Sequence, residues 1–298
     1  MDAYETADMD YESQTMGHRS RVNKAFTLIE LAAAVGILAM VLSFAGVIFK
    51  VSINSHRTAI ANAEIMQKLR AITDQLNADF AGVRRDRGGY ITFGFDSSQI
   101  DGRIVQAKSD NIAFFANGDF QSTRQYDRFD PAGNLLSHRT VPGNIACIFY
   151  SMLDPNSYGR VPEPREKILV RRQTVLTADQ FLSDADSNPR GEYYKMSLSD
   201  WRVVSPFADP NDWAKKPFMN VHNLRDQDLA MYMAKGVDDF TIQFAPRHTP
   251  GPVQWWPIGA NRPQKINPRA FKFTFKLYDS KGVIERGRTF THIVYLGD

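Results

Sequence analysis

Cysteine is nearly absent: Cys147 is the only one in 298 residues. A disulfide within the chain is therefore excluded, and the fold must rest on its core alone. Cys147 lies in the apolar run "NIACIFY" with no basic neighbour in sequence, the setting of a buried structural thiol rather than a reactive one. Charge of one sign is also lacking. The net charge is +3 and no Lys/Arg run exceeds two residues, so nothing argues for a nucleic-acid partner. No period of 20–50 residues repeats, which excludes a solenoid. Signatures such as G-x-S-x-G, a Walker loop or G-x-G-x-x-G do not occur. The six histidines (His18, His56, His138, His222, His248, His292) lack metal-ligand spacing. "DADSN" (184–188) begins like a calcium loop, but Pro189 stands where glycine is needed and no Glu closes it. No convergent acid/base set emerges, so neither an enzyme nor a cofactor is expected.

A long hydrophobic run is present. Leu31 to Phe49 is 19 residues without a charge; as a helix it spans about 28 Å, close to the ~30 Å hydrocarbon core of a bilayer. A cleavable secretory signal has a shorter apolar run followed by a small-residue cut site. Here "KVSINSHRTAIANAE" continues as helix instead. Arg19, Arg21 and Lys24 precede the run, whereas Lys50 and Arg57 follow it, a bias that places the N-terminal side in the cytoplasm. Residues 1–15 carry five acids and no base; Met16 is an alternative start that would give the compact basic leader "MGHRSRVNKA". Thr27-Leu28-Ile29-Glu30 before the run fits a capping box, in which hydroxyl and carboxylate satisfy free N–H groups at a helix start.

"KAFTLIELAAAVGIL" resembles the N-terminal processing motif of type IV pilins and type II secretion pseudopilins: basic leader, F-T-L-I-E, then an uncharged span. The resemblance implies a prepilin peptidase that cuts between Ala25 and Phe26 on the cytoplasmic face. It further implies methylation of the new N-terminal Phe26, and use of Glu30 in filament assembly. Ala25 stands where the family has Gly.

Farther along, Ile65, Leu69, Ile72, Leu76, Phe80 and Val83 recur at spacings of four and three, the stripe of an amphipathic helix. With no proline between Phe26 and Val83, one helix of about 58 residues is expected, with Gly36 and Gly46 as its weak points. Asp74 and Asp79 read as its polar side. Arg84, Arg85 and Arg87, beside Gly88 and Gly89, read as its solvated end.

Beyond it, short β-type runs alternate with turn signals: 90–95, 111–116, 145–152, 167–176, 239–245, 270–279 and 289–296, the last pair joined around "DSKG". The stretches 153–166, 183–191, 205–218 and 246–269 read as connections; the last holds six prolines in 24 residues and reads as pure loop. Of the adjacent Trp255 and Trp256 in that loop, one is expected on the sheet and one half exposed.

The expected class is α+β, pilin-like: a long N-terminal helix, membrane-spanning in its first half, packed on an antiparallel sheet. Residues 1–25 are the cleaved leader, 26–50 the transmembrane helix, 51–87 its amphipathic continuation and 88–298 a periplasmic head whose strands bury their own apolar faces. "GVDDFTIQFA", "VQWWPI" and "NPRAFKFTFKLYD" resemble the C-terminal pattern of J-type minor pseudopilins, and "KILVRRQTVL" resembles a mid-domain strand of that group. The resemblance implies a structural subunit near the tip of the type II secretion pseudopilus. Its partners would be other major and minor pseudopilins, the prepilin peptidase/methylase, inner-membrane lipid and secreted substrate. A minor subunit of a type IV pilus or a DNA-uptake filament, for which nucleic acid would be a partner, is the alternative within that architecture. A membrane-tethered enzyme or binding module is the alternative outside it.

Overall fold

The computed structural model describes residues 27–83, 90–95, 98–100, 103–105, 109–153, 162–183, 191–195, 232–247, 252–257, 264–266 and 268–296. The chain divides into two compact units, Met1–Asn54 and Ser55–Asp298. In the first, what is described is helix, solvent-exposed along its whole length. That helix, α1 (Leu28–Ala81), is continuous for 54 residues and runs through Gly36 and Gly46. It ends where Gly82 carries the chain onto a strand: a Cβ there would lie 2.2 Å from the carbonyl oxygen of Asn117, whose N–H in turn donates to the Gly82 carbonyl at 2.7 Å. Only glycine permits that approach.

The strands of the second unit follow in chain order as β1 (Tyr90–Phe95), β2 (Ser98–Ile100), β3 (Arg103–Val105), β4 (Ser109–Phe129), β5 (Leu135–Met152), β6 (Ile168–Thr177) and β7 (Tyr193–Lys195). After them come β8 (Tyr232–Lys235), β9 (Val237–Pro246), β10 (Trp256–Pro257), β11 (Gln264–Ile266), β12 (Pro268–Leu277) and β13 (Arg288–Tyr295). One sheet has the order β11-β1-β4-β5-β6-β7, with β8 also on β6; a four-stranded sheet runs β10-β9-β12-β13, and β2-β3 form a small ribbon. Every pairing is antiparallel except β6 with β7. The class is therefore α+β, a long apolar N-terminal helix followed by mixed, mostly antiparallel sheet.

Strand β4 is buried from Asn111 to Ala116 and β5 from Ala146 to Ser151, with no alternation. Unbroken burial means that both faces of the sheet are covered there. On one face, Ile112, Phe114, Ala116, Ala146, Ile148 and Tyr150 share a core with Ile65, Ile72, Leu76 and Phe80 of α1 and with Phe240, Phe271, Phe273 and Phe275 of the four-stranded sheet. Phe80 touches both sheets, with ring centroids 4.3 Å from Phe114 and 5.3 Å from Phe271. The Asp110 carboxylate accepts the Ile242 N–H at 2.7 Å and so stitches β4 to β9. The sequence reading has the strands bury their own apolar faces; in the structure the two sheets share a core to which the helix also contributes.

The hairpin of β4 and β5 is longer than the two apolar runs that announce it. Beyond Asn117 it continues as a polar ribbon to a turn held by Asp130, whose carboxylate accepts the N–H groups of Ala132 and Asn134. A second, smaller core of Tyr126, Val141, Val175, Leu182 and Tyr193 supports its base. The Pro-rich stretch 246–269 is not pure loop: β10 and β11 lie in it. Both are short, and β10 pairs only Trp256 and Pro257 with β9 at a sheet edge, where the missing proline N–H is not needed. Trp256 is half exposed while Lys272 Nζ sits 4.9 Å over the Trp255 ring, as expected of the pair.

Candidate functional site

Two regions of α1 carry polar groups in unusual settings. At its start, the Thr27 N–H donates to Glu30 Oε2 at 2.9 Å, the Thr27 hydroxyl donates to the same oxygen at 3.0 Å, and the Glu30 N–H donates back to the hydroxyl oxygen at 3.3 Å. This is the capping box, and it satisfies N–H groups that the first turn leaves open. Every large apolar side chain from Leu28 to Ile53 is exposed, up to 85% for Leu28. Ser43, the hydroxyl within the run, donates to the Ala39 carbonyl at 2.8 Å, which leaves no side-chain donor of its own unmet in an apolar medium. Among the described residues this is the one helix long and apolar enough to cross a membrane. An apolar surface of this extent requires lipid or protein against it. Of the residues singled out in the sequence, Thr27, Leu28, Ile29 and Glu30 form the exposed first turn; Ala25 and Phe26 lie outside the described residues.

Farther along α1, Asp79 corrects the sequence reading. It is not on the polar side but 4% exposed, facing the sheet. Its Oδ2 accepts Arg171 Nε at 2.6 Å and its Oδ1 accepts Arg171 Nη2 at 2.7 Å, a two-pronged ion pair. Gln75 Nε2 donates to Oδ1 at 3.0 Å, and the buried Tyr150 hydroxyl donates to Oδ2. A carboxylate has about four acceptor positions, and four donors occupy them. Burial, and then the charge of Asp79, raises the Tyr150 pKa, so the hydroxyl keeps its proton. Burial alone would weaken the Arg171 charge, but bonding to Asp79 outweighs it and raises the pKa. Such a carboxylate has no lone pair left for a substrate; the cluster holds structure together. The signal was legible: Asp79 stands seven residues after Ile72 and three after Leu76, on the buried face. Asp74, by contrast, stays exposed.

The remaining candidates are spread out. His138 pairs with Asp127 at 2.7 Å, and His292 with Asn77 Oδ1 at 2.9 Å; burial lowers the His292 pKa. Among the described residues no group of His, Cys, Asp or Glu could hold a metal ion. Cys147 is buried, and burial pushes its thiol up to about 12, with Arg172 of the neighbouring strand opposing. Residues 184–188 and Arg84, Arg85 and Arg87 lie outside the described residues.

No protein-family model, no curated protein and no solved structure matches the chain. The function must be argued from the residues themselves.

Proposed function

We propose that the chain is a minor pseudopilin, most similar to the J-type group. It is a structural subunit of a type II secretion pseudopilus rather than an enzyme. The run Leu31–Phe49 anchors it in the bacterial inner membrane, with the N-terminus cytoplasmic and the head periplasmic. From there it joins other major and minor pseudopilins near the filament tip and assists export of secreted substrate. One observation carries this reading: the T-L-I-E of the F-T-L-I-E motif, Thr27 to Glu30, opens a helix that is exposed and apolar at first, then buried against mostly antiparallel sheet. Such a helix is built for two surroundings, lipid or neighbouring helices first and its own head second.

The prepilin peptidase would cut between Ala25 and Phe26. The amide of Thr27 survives that cut because it belongs to the Phe26–Thr27 bond, so the capping box persists in the mature chain. What the cut adds is the amine of Phe26, a positive charge that the Glu30 carboxylate of a neighbouring subunit can pair with.

Protein extracted from membranes is expected to begin at Phe26 with one extra methyl on its amine, read by N-terminal sequencing and intact mass. Chains that keep residues 16–25 in cells with active prepilin peptidase would overturn the reading. Ala25→Gly is expected to speed the cut.

A further inference from the structure

Helix α1 is held over two of its stretches and left alone over a third. From residue 31 to 49 it is apolar, and in an apolar medium an opened backbone group finds no water, so the hydrogen bonds of the helix stay closed. From Ala61 onward it carries buried residues, and Ile65, Ile72, Leu76 and Phe80 are fixed in the core. Between the two lie residues 51–60, "VSINSHRTAI", and every one of them is exposed. Most helical stability in a protein comes from packing an apolar face, and a short helix without such packing is marginal in water.

The residues of this stretch do not make up for the missing packing. Val51, Ile53 and Thr58 are β-branched and lose side-chain freedom in a helix, while Ser52, Asn54 and Ser55 offer the backbone competing hydrogen bonds. Lys50 and Arg57 find no acid three or four residues away, since the chain has no Asp or Glu between Glu30 and Glu64. Both ends of a break here are already equipped. Lys50 places a cation in the last turn of the apolar half, which suits a helix C-terminus, and Asn54, Ser55 and Thr58 are residue types that cap a helix start. We propose that residues 51–60 form a joint within α1, a stretch that opens locally and recloses while the helix on either side stays intact. Such a joint lets either flank be held by its surroundings without strain reaching the other. It does not depend on the assembly role, since it follows from exposure and residue type alone.

The test is amide hydrogen exchange on the full chain in detergent. In a helix each N–H bonds the carbonyl four residues back, so the amides of 54–60 report on bonds that lie wholly within 50–60. They are expected to exchange at least about a hundredfold faster than the amides of the buried Ile65, Ile72 and Leu76, because a local opening costs far less than opening a core. The replacement Ser52→Ala/Asn54→Ala/Ser55→Ala/Thr58→Ala, at four exposed positions, raises helix propensity and removes the caps. Corrected for intrinsic rates, it is expected to slow 54–60 by about tenfold or more and to leave the three core amides unchanged. Ala59→Gly should speed the same stretch by about fivefold. Amides of 54–60 that are as slow as the core amides would overturn the joint. So would rates indifferent to both replacements, because exchange would then not run through local opening of this stretch.

Discussion

At Glu30 two roles meet in one side chain, and they can be separated. The carboxylate closes a capping box with Thr27, and in the proposed filament it also faces the amine of a neighbour's Phe26. Gln at the same position can still close the box, because the box accepts Glu or Gln; it cannot supply charge. Ala loses both, at a cost near the ~1 kcal/mol of a lost helix cap. Near a bilayer interface the charge itself is a burden, less than the ~2.5–3.5 kcal/mol of a helix centre. Both Glu30→Gln and Glu30→Ala are therefore expected to insert as well as the native chain, yet to crosslink poorly to the adjacent pseudopilin and to reduce secretion. If both crosslink and secrete normally, Glu30 is a cap and nothing more. The capping role of Glu30 was legible in the sequence because its partner, Thr27, is three residues away along the chain. Asp79 was misread because its charge was weighed above its place on the buried face; the partners that accommodate the charge there, Arg171 and Tyr150, are 92 and 71 residues away and only the fold brings them to it.

Among the elements, those whose pattern is set by burial were readable and those set by hydrogen bonding were not. The apolar runs 111–116 and 145–152 are the buried halves of β4 and β5. Their polar outer halves carry no apolar alternation to betray them and are held by cross-strand pairing such as Asp127 with His138. β7 and β8, of three and four residues, lie outside every run that the sequence marked as a strand. The "DSKG" signal between β12 and β13 did mark a hairpin, but the connection is a wider loop, 278–287, organised around one carboxylate. Asp279, 1% exposed, accepts the N–H groups of Lys281, Val283 and Ile284. Its burial works against the charge, and those backbone bonds more than offset it, holding its pKa below the ordinary 3.8. Asp279→Asn, which keeps shape but loses charge, is expected to lower stability at pH 7 by about 1.5–3 kcal/mol, the range for hydrogen bonds to a charged group. The stability owed to the charge is complete above the pKa of the unfolded chain and drains away as pH falls through the lower native value. Native and variant melting temperatures should therefore converge as the pH is taken well below the ordinary 3.8. A difference that persists unchanged into that range would mean that the loop is held by something other than the ionised carboxylate.

For the whole molecule the question is where the head begins. A boundary at residue 88, drawn from the change of texture after the helix, separates the strands from side chains that fill their core. Ile65, Ile72, Leu76 and Phe80 are each at most 2% exposed, and all four belong to the same core as Phe114, Ile148 and Phe271. Burying a side chain of this kind is worth about 1.5–3 kcal/mol, so removing four forfeits roughly 6–12 kcal/mol. That is comparable to the whole stability of a domain, about 5–15 kcal/mol. It would also strand Arg171 and Tyr150 without Asp79. The division between units at Asn54 and Ser55 falls instead within the helix, after the exposed apolar segment and before Ala61, its first buried residue. A fragment of residues 55–298 is thus expected to be soluble and to unfold in one cooperative thermal transition. A fragment of residues 85–298 should be recovered aggregated, or as a species that binds hydrophobic dye and melts without a transition. Circular dichroism melts of the two, purified in parallel, decide the matter. Cooperative unfolding of the shorter fragment, at a temperature close to that of the longer one, would show that the sheets close on themselves and that the helix is only laid upon them.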